Sequence, residues 1–233
     1  MYQIKPRVFE IYNGDKLTYN YREDTNDFNT ILSIVDNDEY KTSQMTYSEG
    51  DTFVDIGAHI GGWSKLMEHL VPSAKIIAVE PVAGNIKLLR SNCNAHIIYK
   101  AMSNRSGQKK KIYLGDDSEG GRHHRFIGNV QGFRGEEFFE VETISLNDLL
   151  KDVEKVRVLK IDCEGAEYST FRFASNETLK KIDYIIGEYH NPKQEKSKTR
   201  GALLKITRGL FEDISVSDED SDLGGFWFKN KNV

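Results

Sequence analysis

Five carboxylates and one imidazole stand where short apolar runs of the sequence stop. Asp55 lies at the end of one run, Glu80 closes the run 76–79, and Asp162 closes 156–161 with Glu164 two residues on. Glu188 and His190 end the run that begins at Ile182. Groups of this kind move protons. His190, with an ordinary pKa near ~6.5, is matched to neutral pH and reads as a general base. Side chains two apart on an extended chain point to the same side, so Asp162 with Glu164, and Glu188 with His190, can converge. Such a set also suits a hard divalent cation; Asp162, Glu188 and His190 would then ligate Mg²⁺. In the plainer alternative Asp162 and Glu164 accept loop amides and His190 hydrogen-bonds nearby.

A second feature supplies a place for a ligand. Residues 52–56 read as a buried strand, Gly57, Gly61 and Gly62 crowd into one turn, and Trp63, Leu66, Met67, Leu70 and Val71 fall at helical spacing. Strand, glycine turn, helix opens a nucleotide-binding α/β sheet: glycine lets backbone approach a ligand, and the helix start offers free N–H groups. Glu80, about twenty residues past the turn, can accept both hydroxyls of a ribose. A dinucleotide fingerprint needs G-x-G-x-x-G. Here Gly57 and Gly61 are four apart with His59 between them, which disfavours a nicotinamide dehydrogenase. The string Asp55-x-Gly57-x-x-x-Gly61 instead resembles the pattern of methyltransferases that use S-adenosylmethionine.

Elements must hold these groups in register. Residues 8–12 and 17–21 alternate around Asn13-Gly14-Asp15, a hairpin, and 29–40 has helical spacing. We read residues 1–50 as an N-terminal extension covering the site or the sheet edge, and 51–233 as the main domain. Pro81 starts a helix with Val82, Ile86, Leu89 and Cys93 on one face. A strand at 96–99 runs into a turn at 100–103, where Ala101 and Met102 can flank an adenine. Strands follow at 111–114 and 139–143, a helix capped by Ser145, strands at 156–161 and 182–187, a helix through Leu203 and Ile206, and a terminal hairpin. Repeated βα units closed by a hairpin predict an α/β fold: a doubly wound, mostly parallel seven-stranded sheet whose final strand is antiparallel. In such a sheet the ligand lies beyond the carboxyl ends of the strands, where Asp55, Glu80, Asp162, Glu188 and His190 all fall. The glycine- and charge-rich stretch 115–137, with His123 and His124, reads as a substrate-side loop.

Composition bounds the rest. With 233 residues, 38% hydrophobic and 11% aromatic, the chain can fill one sizeable core. A formal charge of −4 gives no footprint for nucleic acid. Cys93 and Cys163 are too few for a disulfide framework and fit a reducing compartment. No run is long enough to span a membrane, and the first ten residues are mixed in charge, so a soluble cytoplasmic protein is expected.

Several segments are similar to the FkbM family of S-adenosylmethionine-dependent methyltransferases: Phe-Val-Asp-Ile-Gly-Ala-His-Ile-Gly at 53–61, Ala-Val-Glu-Pro at 78–81 and Ala-Met-Ser-Asn-Arg-Ser-Gly at 101–107. The stretches 141–150 and 159–167, the latter Leu-Lys-Ile-Asp-Cys-Glu-Gly-Ala-Glu, are the most specific, and Glu188-Tyr189-His190 matches the acidic-aromatic-His end of the next strand. The resemblance covers about residues 50–190. It implies the Rossmann-like class I methyltransferase fold and S-adenosylmethionine as cofactor. It also implies transfer to a hydroxyl of a sugar, glycan or natural product. Gly57, Ala58, His59 and Gly61 would cradle the methionine end, oriented by Asp55. Glu80 with Pro81 would hold the ribose, Ala101 and Met102 the adenine, and Asp162 would border both cofactor and acceptor. His59 departs from the Asn common at that place in relatives. Glu167 reads as a cap of the following helix. An RNA- or protein-directed methyltransferase, and a non-catalytic cofactor-binding protein of the same fold, are the competing readings. The acidic chain weighs against the first, and the retained Asp162, Glu164, Glu188 and His190 against the second.

Overall fold

The chain begins with an antiparallel hairpin, β1 (Ile4–Glu10) and β2 (Lys16–Arg22), and a helix, α1 (Asp27–Val35). β3 (Thr52–Ile56), α2 (Gly62–Leu70), β4 (Lys75–Val79), α3 (Ala83–Asn92) and β5 (His96–Ile98) follow as βα units. The computed structural model describes residues 2–113, 138–190, 199–215 and 223–233. The stretch 115–137 with His123 and His124, most of the polar connector 193–200, and the acidic link in the terminal hairpin lie outside the described residues.

Three strands leave the main sheet. β6 (Ala101–Ser103), β7 (Lys109–Tyr113) and β8 (Phe138–Ser145) form a sheet of their own in the order β6-β8-β7. The expected turn at 100–103 is therefore a strand from Ala101 on, pairing in parallel with 143–145. Alternation marks a strand but not its partner, and β5 already ends the main sheet. Ser145 then caps α4 (Leu146–Leu149) by accepting from the Asp148 amide. The chain returns through β9 (Val156–Ile161), α5 (Glu167–Phe173), α6 (Asn176–Lys180), β10 (Ile182–His190), α7 (Arg200–Ile206), β11 (Phe211–Asp213) and β12 (Leu223–Asn230).

The main sheet has seven strands in the order β11-β12-β10-β9-β3-β4-β5. The inner pairings are parallel, and β12 runs antiparallel between β10 and β11. The chain moves outward from β3 through β4 to β5 and resumes on the other side at β9. The order switches between β3 and β9, the place where open α/β sheets bind their ligands beyond the strand ends.

Both faces of the central strands are buried, so alternate residues serve different layers. Val54, Ile56, Leu159 and Ile161 face a layer with Phe171, Phe226 and Phe228. Phe53, Val158 and Ile186 face another with Trp63, Leu66 and Met67, and this second layer also contains Phe9, Tyr19, Ile31, Ile34 and Tyr40. The N-terminal extension thus supplies much of one core layer. Burying each such side chain is worth ~1.5–3 kcal/mol. Among the described residues no helix is long and apolar enough to cross a membrane.

Candidate functional site

The turn after β3 has three left-handed residues, Gly57 (φ 77°), His59 (φ 50°) and Gly61 (φ 87°). At Gly57 an added Cβ would sit 1.8 Å from the Asp162 carbonyl oxygen. This glycine lets two strand ends of the protein meet. Gly61 backs onto α3, where a Cβ would lie 2.7 Å from Leu89 Cδ1. The amides of Gly57 and Ala58 both donate to the Val79 carbonyl, at 2.9 and 3.1 Å.

Asp55 fixes that turn from beneath. It is fully buried, accepts from Ser64 Oγ at 2.7 Å and pairs with Lys160 Nζ at 3.1 Å. Lys160 also donates to the Gly57 carbonyl at 2.9 Å. A lysine inside the apolar run 156–161 was the sequence signal for this second anchor.

Glu80 sits at the end of β4, buried and surrounded by donors. Its Oε2 accepts from the His59 amide at 2.8 Å, and its Oε1 from the Val82 amide at 2.9 Å and Asn85 Nδ2 at 3.1 Å. Burial pushes the carboxyl up to about 7; the three donors and the charge of Lys160 hold it from going higher. Pro81 adjoins it at the approach to α3. Ala101 and Met102 are buried in β6, and Met102 packs into the core with Val79.

At the ends of β9 and β10 the expected pairs converge. His190 Nε2 lies 3.5 Å from Glu164, 3.8 Å from Asp162 and 3.9 Å from Glu188. Its other ring nitrogen, Nδ1, is 3.2 Å from Glu167 Oε1. The N-cap position of α5 is Ala166, with no side-chain cap bond, and Glu167, expected as a cap, instead turns to the loop before the helix and to His190. It is fully buried, and the same oxygen accepts the amides of Cys163 at 3.0 Å and Gly165 at 3.2 Å. The loop-amide role weighed for Asp162 and Glu164 is carried by Glu167. Ligand atoms of Asp162, Glu188 and His190 fall within 4.8 Å of one another, a span an ion could bridge.

The protonation of this cluster differs from the expected one. Burial works to lower the His190 pKa, but the hydrogen bond and charge of Glu167, then the charges of Asp162 and Glu164, raise it to about 10. Burial, the Asp162 charge and a hydrogen bond with Glu39 raise Glu188 to about 9. The premise that His190 titrates near neutrality does not hold here.

Two further residues reach the cluster from the N-terminal extension. Tyr40 is buried and its hydroxyl donates to Asp162 Oδ2 at 3.0 Å. Trp227 Nε1, from β12, donates to the Tyr40 carbonyl at 2.8 Å. Glu39 is the partner of Glu188 just described. Asp38 braces the segment by accepting from Thr42 and Ser43. The helix expected over 29–40 ends at Val35, so Glu39 and Tyr40 lie in an irregular segment beyond it, next to the left-handed Asp38 and Lys41, and no sequence pattern marked them as site residues.

A family model described as the methyltransferase FkbM domain matches residues 55–215. Among solved structures, a methyltransferase FkbM from Methylobacillus flagellatus KT is similar over 82% of this chain at 12% identity and TM-score 0.53. This chain spans 46% of the length of that protein. A putative rRNA-methylase from Clostridium thermocellum aligns over 83% of this chain and 96% of its own at 11% identity and TM-score 0.49. An Aeropyrum pernix fibrillarin in complex with natively bound S-adenosyl-L-methionine aligns over 98% and 100% at 13% identity and TM-score 0.48. At these identities the likeness speaks to the fold alone. No curated protein matches the chain.

Proposed function

The chain belongs to the FkbM methyltransferase domain family, and on that premise we propose that it transfers a methyl group from S-adenosylmethionine to a hydroxyl of a sugar, glycan or natural-product acceptor. The observation that carries this reading is the meeting of two sites at one switch point: Glu80 with the glycine turn on one side, the Asp162 cluster on the other. Gly57, whose Cβ position lies against the Asp162 carbonyl, is their point of contact.

The residues present fit the cofactor. Glu80 has three donors on two oxygens, which leaves lone pairs for ribose hydroxyls. Beside it, Asn85 Oδ1 is buried without a hydrogen-bond partner among the described residues, a second acceptor for the same sugar. When bound, S-adenosylmethionine supplies an electrophilic methyl on a sulfonium. Asp162 and Glu164 present carboxylates that favour a cation, while Glu188, raised to about 9, holds a proton at neutral pH. An acceptor hydroxyl attacking that methyl would lose its proton as the carbon–sulfur bond broke, and a base on this chain would take it. Asp162 takes that role. His190, raised to about 10, is already protonated at neutral pH and places its positive charge 3.8 Å from Asp162. Tyr40 donates to Asp162 Oδ2, and Asp162 Oδ1 lies beside the His190 ring at 3.8 Å. Holding donor and acceptor in line supplies most of the rate, and the base adds about 10²–10⁴-fold.

Mg²⁺ does not fit this set. It takes oxygen ligands in a near-ideal octahedron, whereas this cluster is centred on an imidazole ringed by Glu167, Glu164, Asp162 and Glu188 as a charged donor is. A phosphate-rich acceptor would meet the same carboxylates and be repelled, which disfavours RNA.

Titration calorimetry with S-adenosylmethionine and S-adenosylhomocysteine tests the cofactor; micromolar binding of both is expected, and binding of neither would overturn the reading. Methyl transfer to a panel of free sugars, glycans, RNA and protein then tests the acceptor class.

A further inference from the structure

The glycine turn is braced by residues of the N-terminal extension. Arg22, the last residue of β2, donates to Asp27 three times: from its amide at 2.9 Å and Nε at 2.8 Å to Oδ2, and from Nη2 at 2.8 Å to Oδ1. Asp27 opens α1 and is buried. Burial works to raise its carboxyl, and the Arg22 contacts hold it below its ordinary value. Between these two groups sits the His59 ring, with Nε2 3.2 Å from Arg22 Nη2 and 3.4 Å from Asp27 Oδ1. A neutral ring accepts from the guanidinium and a protonated ring pairs with the carboxylate, so either form is held. His59 is left-handed, a backbone state that costs a non-glycine residue free energy. In that state its amide reaches Glu80 Oε2 at 2.8 Å.

We propose that Asp27 is a positioning residue for the cofactor: clamped by Arg22, it holds the His59 ring, and through it the left-handed backbone whose amide aims Glu80 at the ribose. This rests on the assignment of Glu80 to the ribose made above. The N-terminal extension thereby sets cofactor affinity from outside the family-matched stretch. Asn92 ties the two together from the other side, donating to the carbonyls of Asn20 and Ile60 at 3.0 and 2.8 Å.

Calorimetric titration of the full chain with S-adenosylhomocysteine reads the effect. Asp27→Asn is expected to weaken binding about tenfold. Glu80→Gln weakens it too, and the double variant binds no worse than Glu80→Gln alone, because both changes act on one hydrogen bond. Losses that multiply in the double variant, or Asp27→Asn binding like the unaltered protein, overturn the proposal. Should Asp27→Asn not fold, His59 carries the test. His59→Asn tolerates the left-handed state and keeps affinity within about twofold, while His59→Ala loses about tenfold; equal affinities overturn the relay. Absence of binding by the unaltered protein overturns the cofactor assignment and the relay with it. Binding by that protein together with any other failure removes the relay alone.

Discussion

Glu80 turns cofactor affinity into a titration. Ribose hydroxyls donate, and only the ionised carboxylate offers both oxygens as acceptors. With its carboxyl pushed up to about 7 by burial, roughly one-tenth of the free protein is ionised at pH ~6 and roughly nine-tenths at pH ~8. Affinity for S-adenosylhomocysteine should therefore rise about tenfold over that window, or ~1.4 kcal/mol. Near pH ~7 about half a proton leaves for each molecule bound, which calorimetry in two buffers of different ionisation enthalpy counts directly. For folding the sign is the reverse of an ordinary salt-bridged carboxylate. The folded pKa lies above the unfolded one, so the stability from Glu80 is complete below ~4.5 and is lost as pH rises through about 7. The span from 4.5 to about 7 corresponds to ~3 kcal/mol. The ligand-free protein should thus melt lower at pH ~8 than at pH ~5, with the ligand offsetting the loss. Glu80→Gln, which does not titrate, should bind more weakly with a flat pH profile. An unaltered protein whose affinity is the same at pH ~6 and ~8 would refute the reasoning.

Asp162→Asn should lower methyl-transfer turnover about 10²–10⁴-fold while S-adenosylhomocysteine affinity changes little; equal turnover would remove the base. Gly57→Ala places a methyl 1.8 Å from the Asp162 carbonyl and should cost more than ~3 kcal/mol in denaturant titrations, since strand backbone cannot give way. Chelation with EDTA should leave both binding and turnover unchanged, and a loss restored by added Mg²⁺ would return an ion to the cluster. Removing residues 1–50 strips Phe9, Tyr19, Ile31, Ile34 and Tyr40 from one core layer. The truncated chain should show no cooperative melt, whereas a sharp transition would make those residues a dispensable cover.

Strand-end chemistry was legible because it depends on local pattern. Apolar runs ending in Asp55, Glu80, Asp162 and Glu188 define parallel strands, and parallel strands in one sheet bring their ends to one crevice. Lys160 was visible as a charge inside an apolar run, yet its partner was not, because the Asp55 pairing crosses from β9 to β3. Tyr40 and Glu39 fell in the expected helix 29–40 with nothing to mark a role at the site. They arrive from the irregular segment past Val35, held by Asp38 and Trp227 rather than by a helix. The β6-β8-β7 sheet was missed for a related reason: strand partners are chosen by tertiary packing.

His190 shows most sharply what sequence alone withholds. Its type suggested a base near neutrality, but its protonation follows from carboxylates that two separate segments, 162–167 and the end of β10, bring to the ring. Among the described residues of the cluster, Glu39, Asp162, Glu164, Glu167 and Glu188 outnumber the cations, since Lys160 is committed to Asp55. Protons offset part of the difference in the free protein, on Glu188 at about 9 and His190 at about 10. In the proposed reaction a sulfonium brings one positive charge to the same crevice and favours ionisation of the carboxylates facing it. Methyl transfer discharges the sulfonium and delivers the acceptor's proton to the cluster. The crevice then holds the same net charge before and after the step, with the proton standing where the sulfonium charge stood. Low-dielectric surroundings penalise a change in buried charge, so a carboxylate-rich site with spare proton affinity lowers the cost of neutralising the methyl donor.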